Sequence, residues 1–369
     1  MSARATTIAE GFSQKVLREM YENSLTDVVV NRDYEGEING VGSVLNILNF
    51  DRVAEKTYSG SDLTADSLTE NNAVLTIDQY KSFYWKEKTL DNWLSYIKDP
   101  HPTIVEQVAK ERNKNMDEYI LGLYADAGAG NRVGTDYTTG TVEIDSSGNV
   151  TGSGTTFTSG MVGKGFKASG HTQWYRVKTF TNTTTIVIED DLDDVSSTYS
   201  GGAISALSTY TIEAVSAVSI TTTNLLEKVG DLREKLDSAE NLGGLNIAPD
   251  ADRFLIVPPE FMNTVTRASG VALHVDPVYN DLVQRGYIGS LLGFKLFQST
   301  RLTGDNSSGY HMIGGHPGWL TFAEKQLEAT IEEDLIGNFG SAYKDLFVYG
   351  AKVADSRRHF AGEIFATFA

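Results

Sequence analysis

The spacing of apolar positions changes several times along the chain, and each change marks a predicted element. Between residues 8 and 23, Phe12, Val16 and Met20 recur at helical spacing that Gly11 weakens, so an arm-like N-terminal segment is expected. Residues 41 to 90 read as strand. Val44, Leu45, Ile47 and Leu48 precede a polar tract from Thr57 to Asn72, and Val74 through Trp85 is then dense in strand formers. Two such runs around a turn-rich tract predict a long hairpin with an extended tip.

From Ile104 the period becomes helical. Ile104, Val108, Tyr119, Ile120, Leu123 and Tyr124 form one stripe opposite Glu106, Lys110, Glu111, Lys114, Asp117 and Glu118, with Pro100 and Pro102 just ahead. A helix over 103 to 125 would run roughly 35 Å, the width of a small domain. Residues 135 to 205 are an island of Thr, Ser and Gly with strand-like runs at 141 to 144, 174 to 177 and 184 to 188, separated by turn signals. They predict a small all-β domain able to fold alone with modest stability. A second helix is expected from 224 to 241, with Leu225, Val229, Leu232 and Leu236 on one face, a capping box from Asn224 and Glu227, and Gly243-Gly244 as its stop. Residues 253 to 257 predict a buried strand, and Pro259 opens a helix carrying Phe261, Met262 and Val265. Residues 286 to 300, 327 to 331 and 346 to 353 add further strands. The fold class is therefore α+β.

Charge and composition narrow the function. The 369 residues carry 49 acidic and 31 basic side chains, a formal charge of -18, which opposes tight binding to nucleic acid. Cysteine is absent, removing disulfides, thiolate metal sites and cysteine nucleophiles. No stretch approaches the roughly 18 apolar residues that span a bilayer, so no membrane role is expected. The first residues lack the apolar region of a signal peptide, which makes cytoplasmic synthesis the expectation and argues against a secreted β-rich adhesin.

Candidate chemistry is sparse. Gly160-Met161-Val162-Gly163-Lys164-Gly165 lacks the Ser or Thr that a phosphate loop places after Lys, and reads as a turn in the β island. His311 and His316 flank Gly314-Gly315 without helical spacing, so packing is expected of them and not metal ligation. Residues 189 to 194 are acidic but lack the glycine and terminal Glu of a calcium loop, so a solvated loop is expected. With 49 acids some carboxylate pair always falls close in space, so a carboxylate-based hydrolase has no specific support. The aromatic residues of 80 to 93 suit packing or subunit contact better than base stacking. No catalytic, cofactor-binding or metal-ligating residue is assigned, and no enzyme or cofactor is expected.

The order of these elements resembles the major capsid (coat) protein of tailed bacteriophages, the HK-ninety-seven-type fold. The resemblance is carried by Arg253-Phe254-Leu255-Ile256-Val257-Pro258-Pro259-Glu260, by Gly289-Ser290-Leu291-Leu292-Gly293-Phe294-Lys295-Leu296-Phe297-Gln298-Ser299, by His316-Pro317-Gly318-Trp319-Leu320-Thr321-Phe322-Ala323, and by Gly337-Asn338-Phe339 through Tyr349-Gly350-Ala351-Lys352-Val353. It implies an N-terminal arm at 1–40, an extended E-loop hairpin at 41–92, a P-domain with its spine helix at 93–134, and an inserted β domain at 135–205. An A-domain at 206–310 and return strands at 311–369 to the P- and A-domains complete it. It further implies a structural subunit that self-assembles into hexamers and pentamers of an icosahedral head around packaged double-stranded DNA, made and assembled in the host cytoplasm and located in the virion capsid.

The partners so implied are other copies of the chain, a scaffolding protein or domain, a portal protein, a decoration protein, and DNA contacted weakly and non-specifically. An encapsulin-like compartment shell is the alternative within the same fold. Some members crosslink Lys to Asn. Lys56 and Lys81 flank the hairpin tract here, but no partner Asn or promoting Glu is assigned, and no crosslink is expected. Deleting residues 58 to 72 is expected to leave a folded subunit that forms no stable shells, because that tract is polar and contributes little core. Electron microscopy of the deletion checks this, and normal shells would remove the hairpin from assembly.

Overall fold

The computed structural model describes residues 24–33, 44–50, 70–89, 101–191, 198–238, 252–268, 287–332 and 339–369. The expected arm helix at 8 to 23, the hairpin tip, Lys56, Gly243-Gly244 and residues 192–197 of the β island fall outside these. Helices are numbered α1 (Thr26–Val29), α2 (His101–Gly122), α3 (Leu225–Asp237) and α4 (Pro259–Arg267).

The main core surrounds a mixed sheet in the order Val218–Ile220, Ala361–Phe368, Gly309–Gly315, Phe254–Val257, Phe294–Gln298, Tyr287–Leu291. Phe254–Val257 is buried at every position, which explains its unbroken apolar run: neighbours cover both of its faces and both of its edges are paired. Leu225, Val229, Leu232 and Leu236 of α3 and Phe261 and Val265 of α4 pack into the same core. Pro259 occupies the first turn of α4, where its missing N–H costs nothing. The hairpin 287–298 turns at Leu292 (φ 50°) and Gly293 (φ 87°), the left-handed pair that a two-residue hairpin loop requires, and Arg233 holds the Leu292 carbonyl at 3.0 Å.

The long helix α2 begins at His101 and passes into a 3₁₀ turn, Leu123–Asp126, close to the expected limits. Met116, Ile120 and Leu121 in its C-terminal half are buried, whereas Val105 near its start is 49% exposed. Val44–Phe50 and Glu70–Thr76 form the predicted hairpin base. The second strand run does not continue to Trp85 as one element. It breaks at Ile77-Asp78, where Tyr80 Oη donates to the Ile77 carbonyl, and Gln79–Lys88 crosses to a three-stranded sheet with Gly340–Val353 and Leu320–Glu332. Ile47, Ala73, Leu75 and Ile77 anchor the hairpin base on Ala323 and Val348 of that sheet.

A separate eight-stranded sheet takes in the β island, around a core that includes Val142, Val150, Phe157, Phe166, Val177, Ile186 and Ile212. It extends past residue 205. Tyr210–Ser216 lies between Gly165–Ala168 and Thr135–Tyr137, with Tyr210, Ile212 and Ala214 buried. The alternation of that strand places it in the sheet, although the compositional island fades before it. The Asn224 capping box does not form. The Asn224 side chain turns back to accept from the Thr221 N–H and to donate to the Ser219 carbonyl. Helix α3 ends at Asp237, before the expected 241.

A fragment of residues 135–205 lacks a strand from within the sheet and leaves Gly165–Ala168 half paired. Its amide NMR spectrum is expected to be undispersed, and a dispersed spectrum would show that Tyr210–Ser216 is dispensable.

Candidate assembly surfaces and a charged junction

Among the described residues no group of three or more His, Asp or Glu converges as a metal site. The glycine-rich turn at 160–165 faces a carboxylate. Ser159–Met161 forms one 3₁₀ turn, and the Gly165 N–H donates to Glu213 Oε1 at 3.0 Å. An amide that already serves a carboxylate has no role in cradling phosphate. The two histidines lie apart in function. His311 stacks between Tyr124 and Phe365, with ring centroids 3.9 and 4.3 Å away, and donates to Glu363. His316 Nδ1 instead accepts the Gly318 N–H.

The expectation of a solvated acidic loop fails at Asp191, which is 3% exposed. Asp191 accepts from the Ala129 N–H at 2.7 Å and from Arg358 at 3.3 Å, and lies 3.5 Å from His359. Sequence reading missed it because Arg358 and His359 come from far along the chain.

Asp191 belongs to a junction between the eight-stranded sheet and the loop leaving α2. Glu213, fully buried, accepts from the Gly130 N–H at 2.9 Å, the Arg132 N–H at 3.1 Å and the Gly165 N–H. Arg132 donates to the carbonyls of Ala125, Ala127 and Gly163 at 2.7 to 3.0 Å. Its guanidinium stands 3.8 Å from Glu213 and 3.6 Å from Glu363. Burial pushes Glu213 above the usual carboxylate range against the pull of Arg132. Burial also acts to raise Glu363, but the His311 hydrogen bond, Arg132 and Lys164 outweigh it and hold its carboxyl below that range.

A second buried carboxylate, Asp117 on α2, accepts from the backbone N–H groups of Leu25 and Thr26, from both hydroxyls of Ser24 and Thr26, and from Arg301. One side chain thereby joins the N-terminal segment, the long helix and the main sheet.

An exposed apolar surface lies elsewhere. Gln79–Lys88 is an edge strand with Tyr80, Phe83 and Tyr84 exposed at 49, 37 and 55%. Lys81, Lys86 and Lys88 share it, and Trp85 stacks on Tyr343 with centroids 4.4 Å apart. A cleft of about 270 Å³ between this sheet and the first half of α2 is lined by Phe83, Trp85, Ile104, Val105, Val108 and Ile331. Phe339, at the far end of the same sheet, is 90% exposed. Edge strands with free backbone groups and apolar side chains are templates for pairing with another chain.

A long helix laid against a three-stranded sheet, a projecting hairpin and a mixed α/β core together make the fold of bacteriophage capsid chains, as the sequence resemblance implied. Solved structures carry this assignment over the full length. The chain is similar to one from Mycobacterium phage Che8 at 18% identity and a TM-score of 0.56, covering 99% of this chain and 98% of that one. It is similar to the capsid of Ralstonia phage GP4 at 8% identity and a TM-score of 0.57, covering 100% and 98%. The cyanophage Pam1 capsid asymmetric unit matches at 11% identity and a TM-score of 0.53, covering 99% and 98%. No protein-family model and no curated protein matches the sequence.

Glu213→Ala leaves three amide hydrogens unpaired in the interior and removes one of the two carboxylates beside Arg132, and is expected to cost about 3–5 kcal/mol. Glu213→Gln, which keeps an acceptor, is expected to cost less. Urea unfolding of the two variants checks the order, and equal small losses would mean that water reaches the junction.

Proposed function

We propose that the chain is a major capsid subunit, a structural protein and not an enzyme, which assembles with copies of itself into an icosahedral shell. The full-length likeness to phage capsid chains is the observation that carries this reading. The exposed strand Gln79–Lys88 and its neighbouring apolar cleft support it, because an isolated subunit gains nothing from an aromatic edge held open to water. In this reading the hairpin at 41–92 reaches over a neighbouring subunit, 93–134 and the three-stranded sheet form the P-domain, and the main sheet and α3 form most of the A-domain. The eight-stranded sheet is an insertion in that scheme.

Shell closure sums many modest contacts, each weak alone and strong when repeated around a capsomer. The formal charge of -18 makes copies repel at low salt, so a scaffold segment rich in Lys and Arg is the fitting assembly helper. A portal, a decoration protein and DNA held without sequence preference complete the set of partners, with assembly in the host cytoplasm and residence in the virion capsid.

Electron microscopy of the purified protein tests the reading: closed shells or hexamer and pentamer capsomers are expected, and a uniform monomer population at assembly concentrations would overturn it. Tyr84→Asp changes a position that is 55% exposed and outside the apolar cleft, so subunit stability should fall by no more than about 1 kcal/mol. Assembly should fall sharply. Unaltered shells would remove this edge from the interface.

A further inference from the structure

Among the described residues no strand pairs with the outer edge of Gln79–Lys88. The register against Gly340–Val353 sets Lys88 opposite Gly340, and one step further the Thr89 N–H donates to the Phe339 carbonyl at 3.1 Å. Backbone groups alternate in direction along a strand, so Lys81, Phe83, Trp85 and Glu87 turn theirs inward to that neighbour. Tyr80, Ser82, Tyr84, Lys86 and Lys88 turn theirs to the open edge. Side chains alternate with the same period, and Lys81, Phe83 and Trp85 line clefts shared with Val108 of α2.

Two copies of this strand can meet edge to edge, antiparallel, across a two-fold axis, and symmetry limits the register. The axis stands perpendicular to the sheet and leaves each side chain on its own face, so odd positions oppose odd ones and even oppose even. With the axis at Tyr84, that residue meets its own copy, Phe83 meets Trp85, Lys81 meets Glu87, and Tyr80 meets Lys88. Aromatic pairs, opposite charges and an ammonium beside an aromatic ring are the cross-strand contacts that stabilise sheets. Glu87 keeps one carboxylate oxygen buried without a hydrogen-bond partner among the described residues, which a facing lysine would relieve. Moving the axis to Phe83 would set Glu87 against Gln79, and moving it to Trp85 would set Glu87 against Phe83.

We propose that the chain pairs with a second copy of itself along Gln79–Lys88, with the two-fold axis at Tyr84, so that two three-stranded sheets become one of six strands. The proposal rests on the reading of this strand as an assembly surface and adds its partner and register. A self-complementary contact closes after two copies. It therefore joins one ring of subunits to the next, and the ring itself is built by head-to-tail contacts elsewhere on the chain.

The chain contains no cysteine, so one introduced cysteine can form a disulfide only with the same position of another copy. Opposed residues whose backbone groups face each other have Cα atoms about 5.5 Å apart, within disulfide reach. Mild oxidation of Tyr84→Cys is expected to give a covalent dimer on a non-reducing gel. Phe83→Cys, whose two copies lie diagonally at roughly 8 Å, is expected to give about fivefold less or lower still. In the Tyr84→Cys background, Lys81→Glu or Glu87→Lys alone opposes like charges and should cut the dimer yield roughly fivefold, and the two together should restore it. Positions 81 and 87 are about 20 Å apart on one strand, so restoration reports contact between copies. A more abundant dimer from Phe83→Cys, no dimer from either variant, or no restoration by the charge exchange would each overturn the proposal. Thermal unfolding checks that each variant is folded, and if Glu87→Lys is not, the ranking of Tyr84→Cys against Phe83→Cys decides. Electron microscopy of the native chain reads the capsid assignment separately. Shells without Tyr84→Cys dimers would refute the paired strand alone, whereas dimers without shells or capsomers would uphold the pairing and refute the shell.

Discussion

A carboxyl group shut away from water is costly unless fixed dipoles replace its hydration, and Glu213 draws these from two separate parts of the chain. Gly130 and Arg132 come from the loop after α2, and Gly165 from the eight-stranded sheet. Satisfying the carboxylate therefore forces the sheet and the loop into one orientation. Arg132, in reaching Glu363, ties the same point to Ala361–Phe368 in the main sheet. Apolar packing holds each sheet together internally. Between the sheets, Glu213, Arg132 and Glu363 form a directional polar link.

Asp117 does the same work at the other end of the core. Its two oxygens gather the start of α1, the middle of α2 and Arg301 just after Phe294–Gln298. Neither carboxylate lies near the exposed edge of Gln79–Lys88. Buried carboxylates bonded to backbone amides thus lie in the framework, and the aromatic strand Gln79–Lys88 faces solvent.

Legibility in the sequence followed the range of the interactions. The stripe of α3, the unbroken run Phe254–Val257 and Pro259 at the head of α4 are decided by residues within a turn or two, and periodicity found them. Order along the chain, more than any one motif, carried the capsid fold. The break at Ile77-Asp78 was not legible, because it depends on Gly340–Val353 offering a second sheet to join. Tyr210–Ser216 was separated from its sheet by composition, although Tyr210 and Ile212 alternate with Thr211 as in a half-buried strand. Asp191 looked solvated because Ala129, Arg358 and His359 are its partners only after folding. Asn224 matched a capping pattern, yet its side chain found nearer partners in Ser219 and Thr221. Of the surfaces now described, the aromatic strand was visible as a composition.

The place of Ala361–Phe368 in the main sheet bears on the timing of folding. This strand pairs with Gly309–Gly315, Val218–Ile220 and Arg132–Val133, so three earlier parts of the chain wait on a segment translated long after the first of them. At ribosomal speeds of about 5–20 residues per second, that wait is on the order of 10 s or more. Until Phe368 has left the exit tunnel, the inner sheet has an open seam and its flanking apolar faces are uncovered. A nascent subunit therefore keeps apolar surface uncovered through the later part of its synthesis, and a chain cut short upstream of Ala361–Phe368 cannot close its core.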